Sequence, residues 1–125
     1  MREYKFRGWL RQRRQFCAIS GIFFAADGRI EAVELGYPLY KIVQATEVEL
    51  MQYTDLRDKN GREIFEGDIV VSPVLKRPVS IESSQEFFVL LGSLSYLARS
   101  QFIENMEISG NIYDAENDND NGGNP

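Results

Sequence analysis

Two tight turns lie only a few residues apart in the stretch "DKNGREIFEGDIVV", residues 58–71. Asn60-Gly61 has the composition of a tight hairpin turn, because both residues reach positive φ at little steric cost. Asp58 can accept a backbone N–H from two residues ahead and fix that turn. Glu66-Gly67-Asp68 reads as a second turn. Only "REIF" lies between them, which is strand length and too short for a helix. Asp58, Asn60, Gly61, Gly67 and Asp68 are therefore expected to be structural turn residues.

The same punctuation runs along the chain. "EYKFRGWL" alternates, with Tyr4, Phe6 and Leu10 on one side and Lys5, Arg7 and Trp9 on the other, and reads as a strand. "RQRR" is a polar turn. "QFCAISGIFFA" is a second strand, with a bend or bulge at Gly21. "ADGR" is a hairpin turn leading into "IEAVEL", a third strand. Pro38 bars a long helix through "LGYPLY". Residues 41–53 fit a helix or a strand, and extended structure with one short helical turn is the preferred reading. Beyond Pro78, "VSIESSQEFFVLL" and the segment after Gly92-Ser93 also read as strands. Short runs between turns predict a mainly β chain with little helix, although α+β remains open. The expected form is a small N-terminal sheet (1–50) plus an SH3-like curled β-barrel (51–113), together one domain over 1–113. Residues 114–125, "DAENDNDNGGNP", lack core-forming side chains and read as a disordered acidic tail.

At 125 residues the chain can bury a single core. It has no histidine and one cysteine. His-based triads, His general bases and a one-chain Cys/His zinc site are thereby removed. Cys17, beside Phe16 and Ile19, reads as a buried, inert thiol. With Gly61 at the sixth position of a calcium loop, Asp58 and Asn60 fall on ligand positions. Leu56 then falls on the first position and Gly67 on the last, where carboxylates are needed, so no metal is expected. No glycine-rich phosphate loop occurs. Catalytic residues, cofactors and a membrane span are not expected, and the protein reads as cytosolic and not an enzyme.

Charge is uneven. Basic residues crowd positions 2–14, none follows Arg99, and the net charge is −5. The basic, aromatic segment "YKFRGWLRQRR" is the best binding candidate. Arg7, Arg11, Arg13 and Arg14 could hold an anion, with Trp9 or Tyr53 supplying a stacking face. A solvated strand edge or pairing between subunits is weighed above nucleic acid, because nucleic-acid binders carry a clear positive field.

Three segments, "MREYKFRGW", "MQYTDLRDKNGREIFEGDIV" and "ISGNIYD", resemble the YopX-like proteins of bacteriophages and prophages, in that order and near their usual spacing. Asp55 stands where those proteins usually have glycine, and the acidic tail replaces a short apolar ending. The resemblance implies a small β-rich phage protein, made in the bacterial host cytoplasm and self-associating as a homo-oligomer. By analogy with other small phage proteins, it would bind a host protein or a nucleotide ligand. A nucleic-acid-binding accessory role is the alternative.

Overall fold

The computed structural model describes residues 3–113; the expectation for the acidic tail lies outside them. The chain divides into two compact units, Tyr4–Gln52 and Tyr53 onward, with Glu3 joining the latter. No helix among the described residues is long and apolar enough to cross a membrane.

The N-terminal unit is an antiparallel sheet. Its strands are β1 (Phe6–Leu10), β2 (Gln15–Phe24), β3 (Ile30–Leu35), β4 (Ile42–Gln44) and the first half of β5 (Val48–Arg57), in the order β4-β3-β2-β1-β5. Gly28 makes the β2–β3 turn at φ 90°. The β2–β3 register slips between Ile19 and Gly21, where a bulge was anticipated. A three-residue 3₁₀ turn, Ala45–Glu47, separates β4 from β5. Alternate residues of these strands, among them Leu10, Cys17, Val33, Leu35, Val43 and Val48, form one buried cluster. Gly8 sits at its centre for a steric reason. A Cβ there would lie 2.6 Å from Val48 Cγ2 and 2.9 Å from Ile19 Cδ1.

The C-terminal unit contains the second half of β5, followed by β6 (Glu63–Phe65), β7 (Asp68–Val71), β8 (Val79–Ser80), α1 (Ser84–Ser93), α2 (Tyr96–Asn105) and β9 (Glu107–Asn111). β6 pairs with β5, and β7 is the middle strand of β8-β7-β9. Ile64, Val70, Phe87, Leu91, Phe102, Met106 and Ile108 build a separate core.

The molecule is mainly β, as its turn pattern predicts. No closed barrel forms among the described residues, and two helices stand where strands were expected. Their cause is local. Ser83 Oγ accepts the Glu86 N–H and Ser95 Oγ accepts the Ala98 N–H, so each serine caps a helix start. Phe87 and Leu91, four apart, then share the buried face of α1.

The turn residues act as locks. Asp58 is buried; its Oδ1 accepts the N–H groups of Asn60 at 2.9 Å and Arg62 at 3.0 Å, and its Oδ2 accepts that of Ile108 at 3.1 Å. Burial alone would raise this carboxyl, but the three N–H donors and the nearby Arg62 charge outweigh burial and hold it below its ordinary range. Gly61 and Gly67 take φ 82° and 91°. Asp68 Oδ2 accepts the Phe65 N–H at 2.9 Å. Asp55 adopts φ 69°, the left-handed backbone that glycine favours and that aspartate tolerates.

Candidate binding cleft at the basic turn

The β1–β2 turn, residues 11–14, carries the arginine cluster at the end of the N-terminal sheet. Arg14 closes it at φ 50°. The arginines that looked alike in sequence have different surroundings. Arg7 lies on β1 opposite Ala18, its guanidinium 4.6 Å from the Phe16 ring centroid. Arg11 forms an ion pair with Glu49, and its Nε donates to the Thr46 carbonyl at 3.1 Å. Both are held by their own chain. Arg13 and Arg14 are exposed.

Arg13 reaches a cleft of about 50 Å³ lined by Leu10, Gln12, Lys41, Val43 and Glu47. Leu10 and Val43 belong to the core, so the cleft has an apolar base. Arg13 and Lys41 make no ion pair among the described residues. The Glu47 carboxylate is engaged locally and accepts the Gln44 N–H at 2.8 Å. Two unpaired cations thus share a cleft with one committed acid, an arrangement that favours an anion. Each cation also neighbours a residue with left-handed backbone, since Tyr40, before Lys41, has φ 48°. Such conformations are costly for bulky residues and persist where surrounding structure enforces them.

Both aromatic residues expected to stack on a ligand are interior. Trp9 is 6% exposed and meets Phe16 edge-on at 4.8 Å. Tyr53 is 3% exposed, belongs to the C-terminal unit and packs against Phe65 at 5.4 Å. Neither presents a ring face to a ligand in solvent, which corrects that expectation. Sequence reasoning also missed Lys41 and Glu47. They approach the basic turn because β5 returns beside β1, a pairing that brings the Arg11 N–H to the Glu47 carbonyl at 3.2 Å. No local motif announces that return. Cys17 is buried, and burial raises its thiol more than its contact with the Gly8 carbonyl lowers it.

Fold and site together define a small mainly β protein of two units with a basic cleft on its N-terminal sheet. The sequence model of the YopX protein family matches residues 5–117, and the chain belongs to that family. A crystal structure of protein EF1440 from Enterococcus faecalis is similar in fold, with a TM-score of 0.59 and 21% identity over 93% of this chain and 97% of that one. No curated protein matches.

Proposed function

We propose that this protein is a non-enzymatic accessory protein of a bacteriophage or prophage. It works in the bacterial host cytoplasm as a homo-oligomer and binds a small anionic ligand, such as a nucleotide, or a host factor. The Arg13–Lys41 cleft carries the ligand reading. At about 50 Å³ it is far below the roughly 300–1,000 Å³ of sites that enclose a whole small molecule. It suits one phosphate-sized group, with the remainder of a larger ligand lying across the surface. The phage setting and self-association rest on the family resemblance. Nucleic acid is the weaker alternative, because Arg7 and Arg11 are engaged within the chain.

Calorimetry at low salt with inorganic phosphate, pyrophosphate and nucleoside phosphates tests the cleft. Charge-assisted contacts of about 1.5–3 kcal/mol predict at least a tenfold weakening in Arg13→Glu/Lys41→Glu. Absence of heat with every phosphate compound would sink the ligand reading. Light scattering tests the oligomer, and a mass of 14.4 kDa in solution would remove it. Salt-dependent retention of single-stranded DNA, lost in Arg13→Glu, would instead favour the nucleic-acid alternative.

A further inference from the structure

The C-terminal unit has a second, chemically opposite site. A groove of about 200 Å³ lies between β8 and α1. Val79, Ile81, Phe87 and Leu90 supply its apolar lining, and Ile81 and Phe87 are fully buried core residues. Glu82 and Glu86 supply its charge. Both are exposed, and neither forms an ion pair among the described residues. Lys76 and Arg77, the basic residues just before β8, leave them unpaired as well.

The volume selects the kind of occupant. It is too small for most small-molecule ligands, which occupy roughly 300–1,000 Å³, but suits one long side chain. An apolar lining with acidic charge fits a side chain that has an aliphatic stem and a cationic head. The backbone of β8 adds a second form of recognition. β8 is the outer strand of β8-β7-β9, and its far edge has no strand partner among the described residues. An extended peptide can add to such an edge through main-chain hydrogen bonds while a side chain fills the neighbouring pocket.

We propose that the β8–α1 groove docks an extended basic segment of a partner protein. One arginine or lysine lays its stem along the half-buried Val79 and Leu90, over a floor of Ile81 and Phe87, and its head pairs with Glu82 and Glu86. The segment's backbone runs along β8. This site is in the C-terminal unit and does not depend on the anion-binding reading.

The probe is the peptide acetyl-Val-Arg-Val-amide, titrated into the isotope-labelled full chain and followed through backbone amide shifts. A control peptide carries neutral citrulline in place of arginine and keeps nearly the same shape. Saturable shifts over residues 79–90 are expected, with about three- to tenfold weaker binding by the citrulline peptide, since ion pairs with two exposed carboxylates are lost. Glu82→Gln/Glu86→Gln should weaken the arginine peptide similarly while the other amide resonances stay in place. Three results would overturn the proposal. These are no saturable shift at millimolar peptide, equal binding of both peptides, or shifts centred away from β8 and α1. The citrulline comparison uses wild-type protein, so it decides the matter even if the double variant folds poorly.

Discussion

The two units solve the same problem, a small β-built core, with different fastenings. The N-terminal sheet relies on length. β2 is a ten-residue strand, and β1 pairs with β2 on one side and, along its whole length, with the first half of β5 on the other. In the C-terminal unit, β6, β7 and β8 have three, four and two residues. Ladders this short leave many backbone groups unpaired, and carboxylates take them up. Asp58 ties its own turn to the start of β9, Asp68 holds the Phe65 N–H, and Glu66 accepts the Ser84 N–H at the start of α1. Where strands are too short to satisfy their own backbone, side-chain acceptors replace the missing ladder.

The largest expected effect comes from removing the best-connected of these acceptors. Asp58→Ala orphans the N–H groups of Asn60, Arg62 and Ile108. The loss should be about 3 kcal/mol, given the strength of hydrogen bonds to a charged acceptor and the penalty for leaving the buried Ile108 N–H unpaired, the other two donors being nearer solvent. Hydrogen exchange should show protection falling over residues 53–113 while residues 4–52 keep theirs. Equal loss in both units would mean that they are not separately fastened.

The same carboxylate sets an acid response. Its folded pKa lies below the ordinary value, so its stabilisation is fully present above the unfolded pKa. That stabilisation is lost as pH falls through the folded value. In urea unfolding, wild type should therefore exceed Asp58→Asn most at neutral pH, and the gap should narrow in acid below about pH 4. A constant gap would assign the Asp58 effect to shape and not to charge.

The matching test in the N-terminal unit is steric. Gly8→Ala places a methyl 2.6 Å from Val48 Cγ2, on a β-branched side chain with little freedom to move. Overpacking of this kind costs about 1–3 kcal/mol. The damage should appear as reduced protection over residues 4–52. A neutral Gly8→Ala would show that this sheet is more loosely packed than its buried cluster implies.

Legibility in the sequence follows the same division. The N-terminal strands and the turns at Asp27-Gly28 and Asn60-Gly61 are readable because their signals are local: alternation, and a glycine that takes positive φ, although Asn60 itself does not adopt the positive φ expected of it. The first helix is hidden because Phe87-Phe88 and Leu90-Leu91 look like a buried strand. The decisive signal was Ser83 with Glu86 three residues on, the spacing of a helix start. At the candidate cleft, Arg13 was legible from charge alone. Lys41 was not, because the β1–β5 pairing that brings its segment near is non-local. Burial of Trp9 and Tyr53 was equally hidden, since period-two alternation separates faces without saying whether both are covered.

The smallest effects concern two adjacent serines with opposite surroundings. Ser83 caps α1, and Ser83→Ala should lower stability by about 1 kcal/mol. Ser84 is buried, and its Oγ has no hydrogen-bond partner among the described residues. Its backbone N–H, held by Glu66 at 2.9 Å, does not depend on the side chain. An unpartnered buried hydroxyl carries a desolvation penalty, so Ser84→Ala should raise stability by about 0.5–1 kcal/mol. Paired thermal melts of the two variants check the opposite signs. If Ser84→Ala also destabilises, its hydroxyl has a polar partner, and the start of α1 is then fastened by its serines as well as by Glu66.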